Sequence, residues 1–299
     1  MSPRRAFRVS LVIGSVVVVL AAIAATGCAH ALSQPMPEVK GRLTLKVSQE
    51  RLSRMGEVPV TVYQIPDTSV YVSGHEGWAS VGALFGPIGV AVAIATAQNT
   101  GERRVQDVQT QLRLDIPKLT EYVLAEMLER RGDAGRFGPG GGPGDGLVEI
   151  IPYLVVNFIG SDQVRLWVVL KTVLKDARGE GKWKTKYAAG VGEIRPLGGE
   201  GGWASEDGAP LRKAVDRNLR LAMDAFLKDA SGALPRGTGR MVNVKAQWVW
   251  WKEPSERAAE ILSETEETIV VIPQVTDDVP FAGVSILDKK SVTVTAEPR

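Results

Sequence analysis

The stretch from Leu147 to Asp176 constrains the fold of this chain more than any other. Leu147 to Phe158 and Val164 to Asp176 are rich in Val, Ile, Leu and Trp, and Gly160-Ser161-Asp162 between them is turn chemistry. Together they predict a β-hairpin. Arg178-Gly179-Glu180-Gly181 then turns the chain into a third strand, Lys182 to Val191, with Trp183, Thr185 and Tyr187 on one face.

Helical periodicity flanks this unit. Asp115 can cap a helix that tolerates Pro117 in its first turn, and Ile116, Leu119, Val123 and Met127 recur at helical spacing, with Leu124 and Leu128 alongside. Pro210 to Asp229 carries Leu211, Val215, Leu219, Ala222 and Phe226 on one stripe, with Gly232 past its end. The expected fold class is therefore α+β: an antiparallel sheet with two amphipathic helices on one face, a sandwich of two layers. Shorter strands are expected at Arg42–Val47, Val58–Ile65 and Val70–Val72. The C-terminal part reads as strands at Met241–Trp251 and Thr268–Ile272, a short acidic helix over Pro254–Glu267, and an edge strand at Ser291–Thr295. Arg136 to Gly146 is a Gly/Pro loop expected to be exposed and mobile. There is no internal repeat.

The N-terminus has the three regions of an export signal: Arg4, Arg5 and Arg8, an apolar run from Val9 to Ala25, and small residues before Cys28, the only cysteine. A membrane-spanning anchor is the other reading of this run, which is nearly long enough to cross a bilayer. Ala25-Thr26-Gly27-Cys28 resembles the lipobox of bacterial lipoproteins, with Ala where Leu is usual. That resemblance implies a diacylglyceryl group on Cys28, cleavage after Gly27 and, because Ala29 is not the Asp of inner-membrane retention, an anchor at the periplasmic face of the outer membrane. Several acyl chains on one residue make such an anchor durable. A lipidated Cys28 leaves no thiol for a disulfide, so stability must come from a core. The expected organisation is a signal peptide (1–27), a Pro/Gly-containing tether (28–41), N-terminal strands with an apolar segment (42–104), an α+β core (105–235) and a β-rich extension (236–299). Removing the three arginines of residues 1–27 from the 36 Lys and Arg leaves 33 against 34 Asp and Glu. A near-neutral chain without a basic run does not suit nucleic acid.

From Gly77 through Gly101 there is no charged residue, and Val81 to Ala97 is almost wholly Gly, Ala, Val, Ile, Leu and Phe. In one reading Val81, Gly82, Leu84, Phe85, Gly86, Pro87, Ile88 and Gly89 contact lipid or a partner, small residues allowing close approach. In the other they form a Gly-rich helical hairpin, broken at Gly86-Pro87, that packs on its own sheet. Trp248 and Trp250 alternate onto one strand face with Trp251 on the other. They are either core residues or an exposed aromatic face for a glycan, a peptide or a membrane interface.

Candidates for chemistry are few. His30 lies in the tether and His75 precedes the uncharged segment, which leaves no pair of histidines at metal-ligand spacing. Gly-x-Ser-x-Gly is absent, Gly138 to Gly146 lacks the Lys of a phosphate-binding loop, and the adjacent pairs Asp277-Asp278 and Glu266-Glu267 cannot converge on one bond. No enzyme activity, metal or cofactor is expected. The order of elements over about residues 105 to 232 resembles small periplasmic α/β domains of envelope lipoproteins that assist secretion, lipopolysaccharide assembly or transport. That likeness implies an accessory role: binding another envelope protein, or a second copy of the chain, at the membrane. The alternative is a lipoprotein that binds cell wall or polysaccharide.

Overall fold

The computed structural model describes residues 33–52, 58–59, 62–74, 86–131, 135–139, 144–176, 178–237, 239–275 and 280–296, with the backbone alone for 86–94 and 97. The protein is mixed α/β, dominated by one large, mostly antiparallel sheet. Its centre is the expected hairpin: β4 (Gly146–Phe158) pairs antiparallel with β5 (Gln163–Lys175), and β5 with β6 (Gly181–Gly190). Runs of β-branched and aromatic residues suit such central strands, because both of their faces are covered. Two strands lie end to end along the outer side of β4. β1 (Leu43–Val47) pairs parallel with its first residues and β3 (Val70–Ser73) with its last. β2 (Tyr63–Gln64) forms that edge, and β7 (Arg195–Pro196) adds a short ladder to β5.

Beyond β6 the sheet continues through strands distant in sequence. β8 (Arg240–Ala246), β9 (Ser255–Glu264), β10 (Thr268–Pro273) and β11 (Val284–Asp288) form an antiparallel run, β11 pairs parallel with β6, and β12 (Thr293–Ala296) closes the far edge on β8. The segment expected to be an acidic helix is thus strand β9 for most of its length. Its acidic residues do not share one exposed face: Glu260 is buried and accepts from the backbone N–H of Gly239. Pairing with β8 and β10 outweighs a weak helical propensity.

Alternation along β4 and β5 separates two cores. Val148, Ile150, Leu154, Val156 and Phe158 face one side with Leu166, Val168 and Leu170, and this aliphatic core also holds Leu211, Val215, Leu219 and Phe226. Those four belong to α3 (Ser205–Ala230), whose Glu206, Asp207 and Gly208 are left-handed, so that regular helix begins beside Pro210. Gly232, at positive φ, ends it. Ile116, Val123 and Leu124 of α2 (Ile116–Arg130) join the same core. Asp115 accepts from the Lys118 N–H as its cap. Leu119, expected on the buried stripe, is exposed.

The opposite face is buried too, which corrects the two-layer expectation. Ile151, Tyr153, Val155, Trp167 and Val169 pack there with Val242, Val244 and Ala246 of β8, Ala259 of β9 and Ile269 and Val271 of β10. Residues from both halves of one hydrogen-bonded sheet meet in one core, so the sheet coils until its C-terminal strands cover its own central strands. Gly190 is required for this: a Cβ there would lie 2.5 Å from the Trp167 indole.

Helix α1 (Gly86–Val105) runs unbroken for 20 residues with Pro87 in its first turn, where the missing N–H costs nothing. Pro87 stands at the start of this helix, which is the second half of the expected hairpin. Residues 81–85 lie outside the described residues. The Gly/Pro loop is held where described: Phe137 is buried, Leu43 donates its N–H to Arg136 and Gly138 donates to Leu43. Residues 136–138 act as an extra edge on β1, so this part of the loop is not the exposed segment expected, and residues 140–143 lie outside the described residues.

Candidate functional site

The feature that stands out is the route of residues 33–41, expected to be a loose tether. They cross the foot of the central sheet, the end carrying the β5–β6 turn, as part of the domain. Ser33 is 4% exposed, and its hydroxyl is 2.8 Å from that of Thr185. Arg236 donates from one guanidinium nitrogen to the carbonyls of Ser33 (2.9 Å) and Gln34 (3.0 Å), and the Trp183 indole donates to the same Gln34 carbonyl at 3.0 Å. Met36 and Val39 pack on the aliphatic core. Arg136 donates to the carbonyls of Val39 and Gly41, Gly41 donates its N–H to Gly144, and Arg42 donates its N–H to Asp145. An extended segment has no internal hydrogen bonds, so each carbonyl it buries needs an outside donor. Arginine, with five donors in a fixed fork, serves two carbonyls at once.

Arg236 is itself held by a buried acid. Its guanidinium pairs with Asp229, their side chains 4% and 2% exposed, and the Tyr187 hydroxyl donates to the same carboxylate oxygen. Burial raises the Asp229 carboxyl above its ordinary range, while Arg236 and Tyr187 pull the other way. Burial, and then the carboxylate, push the Tyr187 phenol well above its own range, so it stays protonated and able to donate. The clasp joins three distant pieces of chain: residues 33–34, strand β6, and the end of α3 with the loop that follows it. Its presence had one sequence signal. Asp229 stands three residues after Phe226 on the apolar stripe of α3, where a carboxylate must find a buried partner. Ser33 and Arg236 carried no such mark.

The residues singled out from sequence fall elsewhere. Cys28, His30, His75, Val81, Gly82, Leu84, Phe85, Asp277 and Asp278 lie outside the described residues. Gly86, Pro87, Ile88 and Gly89 form the first turn of α1, and their side chains are not described. Ala95 and Thr96, farther along, are exposed. Trp248 and Trp250 do not form an exposed aromatic face. Both are buried, in a turn after β8 and not in the strand expected through Trp251. Trp250 adopts φ 75°, stacks on Tyr153 at 5.9 Å and meets Tyr71 edge-on at 6.0 Å. Trp248 donates its indole N–H to the Ser255 carbonyl. A third ring, Trp251, packs edge-on against Phe281 and under Arg257. The ring area removed from water outweighs the strained backbone.

Two surface clefts offer little chemistry. One, of about 490 Å³, lies beside Trp203 at the start of α3, and its arginines are paired, Arg195 with Glu193 at 2.6 Å and Arg217 with Glu267 at 2.9 Å. The other, of about 330 Å³, holds the Arg51–Asp67 pair and the capping Asp115. Among the described residues no three His, Cys, Asp or Glu side chains gather to hold a metal, and no helix is long and apolar enough to cross a membrane. Compared with known protein families, with characterised proteins and with solved structures, the chain matches none.

Proposed function

We propose that this chain is a lipoprotein of the bacterial envelope, exported by residues 1–27, acylated on Cys28 and held at the periplasmic face of the outer membrane. There it acts without catalysis as an accessory or scaffolding component, docking another envelope protein or a second copy of itself. In this reading α2 and α3 are the two amphipathic helices on one face of the sheet, and the uncharged segment that runs into α1 meets the partner. The observation that carries the reading is the clasp. A chain anchored by its N-terminus transmits every pull on the anchor to the first residues of its domain, and here those residues are fastened by Arg236, Asp229, Tyr187, Trp183 and Thr185. The alternative, a polysaccharide-binding lipoprotein, leaned on Trp248 and Trp250, which are buried.

Replacing the only cysteine tests the proposal. Cys28→Ala is expected to abolish acyl incorporation, read by mass spectrometry, and to release the protein from membranes washed at high salt. Retention of the washed mutant would instead favour an uncleaved signal helix as the anchor. The partner half is tested by cross-linking in the native envelope. Gly86→Leu is expected to remove the cross-linked species while leaving the melting temperature unchanged. An unchanged cross-linking pattern would exclude the start of α1 from the contact.

A further inference from the structure

We propose that Arg165 is a binding site for a carboxylate, taken side-on by the Nε and Nη2 edge of its guanidinium beneath the turn Lys289–Ser291. Alternation along β5 turns Arg165 to the same face as Trp167 of the second core, and register sets it opposite Asn157. Arg165 is 5% exposed. A guanidinium keeps its proton, so it is costly to bury unless a carboxylate meets it. Arg236, equally buried, has Asp229 for that purpose besides its two backbone carbonyls. Arg165 has only the neutral part of such a set. Both of its hydrogen bonds leave from Nη1, to the Gly190 carbonyl at 3.2 Å and the Ser291 hydroxyl at 3.1 Å. Its Nε–H is buried without an acceptor.

Asp288 is the carboxylate whose charge reaches Arg165, and it offsets part of the cost of burial. Its oxygens are engaged elsewhere, accepting from the backbone N–H groups of Gly192 at 3.2 Å and Lys290 at 3.0 Å. Asp288 therefore fixes the turn and leaves the guanidinium edge unfilled. That edge names the chemistry of the ligand. Nε and Nη2 present two parallel N–H groups, which match the two oxygens of a planar carboxylate. Phosphate has the oxygens too, but its second negative charge is disfavoured by the nearby Asp288. A singly charged carboxylate suits the site better. Access is from the turn: Lys289, Lys290 and Ser291 are all exposed, and Ser291 is the residue bonded to the guanidinium. The buried cation thus lies one side chain below the surface. Of the two lysines in the turn, Lys289 is paired with Glu264 at 2.6 Å, and Lys290 follows it next to Ser291.

The test uses the full-length protein in detergent micelles, with isotopically labelled arginine and acetate as the probe. A buried Nε–H exchanges slowly with water and gives its own nuclear resonance, which Arg165→Lys assigns by removing it. We expect this resonance to move downfield and saturate as acetate is added, and to stay in place when chloride is added to the same ionic strength. In calorimetry Arg165→Lys, which keeps the charge and loses the two-pronged edge, should bind acetate about tenfold more weakly. If that variant folds poorly, Ser291→Ala assigns the resonance by shifting it, and the titration of the native protein decides the matter. A resonance that ignores acetate, or follows chloride equally, would overturn the site and leave Asp288 as the counterion of Arg165. Once acetate binds, cross-linking in the native envelope separates two sources of the carboxylate. Cross-links unchanged in Arg165→Lys mean a free small acid, whereas a species lost in that variant means an acidic group of a partner protein.

Discussion

Two segments lie against the sheet without being strands of it, and they are fastened in opposite ways. Residues 33–41 are polar and Pro-rich, and they are held at the foot by donated hydrogen bonds and one buried ion pair, with Met36 and Val39 adding a little apolar contact. Residues 247–251 are held by burial of Trp248 and Trp250, and polar contacts only trim the fit: Asn157, itself bonded to Ser73, donates to the Trp251 carbonyl. The polar clasp suits a segment that must leave the domain in one direction, because hydrogen bonds fix orientation and burial alone does not. The aromatic plug suits the centre of a core.

The difference can be broken from either side, and the largest effect is expected at the plug. Trp250→Ala removes a fully buried ring that touches Tyr153 and Tyr71 and should cost about 3 to 5 kcal/mol in urea melts. A loss below about 1 kcal/mol would mean that the turn can leave the core cheaply. At the clasp, Arg236→Gln leaves Asp229 buried without its cation while Tyr187 still donates to it, and about 3 kcal/mol is expected. The two variants should differ in kind: the clasp variant exposes residues 33–41 to protease with the rest of the domain intact, whereas the plug variant is cleaved throughout. Identical cleavage patterns would contradict separate roles.

Gly190→Ala is a smaller perturbation. Its Cβ would press on the Trp167 indole, and overpacking of that kind costs about 1 to 3 kcal/mol. The smallest effect is a pH dependence. Lys175, hydrogen-bonded at 2.6 Å, holds the Glu149 carboxyl below its ordinary value of 4.5. A depressed folded-state value means stability that is present above about pH 4.5 and lost as pH falls through the depressed value. Glu149→Gln should remove that part of the acid slope. An acid limb unchanged in the variant would show that the pair is not coupled to folding.

What was legible in the sequence follows from the range of the forces involved. The β4–β5 hairpin, strand β6 and the stripe Leu211, Val215, Leu219 and Phe226 were all visible, because each depends on neighbours within one turn of helix or across one turn of chain. Pro254 to Glu267 looks helical in sequence because the strand pairing of Ser255–Glu264 within it comes from β8 and β10, and nothing local announces that. For the same reason Trp248 and Trp250 could be read as core or surface until Tyr71 and Tyr153, far earlier in the chain, were found beneath them. Residues 33–41 look like a tether by composition, and only Arg236, two hundred residues away, makes them part of the domain.

The docking of residues 33–41 is tested most directly by a distance distribution. Nitroxides on Glu38→Cys and Asp224→Cys, with Cys28 acylated, give a pulsed electron-resonance measurement between the segment and α3. A docked segment gives one narrow distribution that broadens in Arg236→Gln. A broad distribution with Arg236 intact would show a loose tether, and the clasp would fall with it.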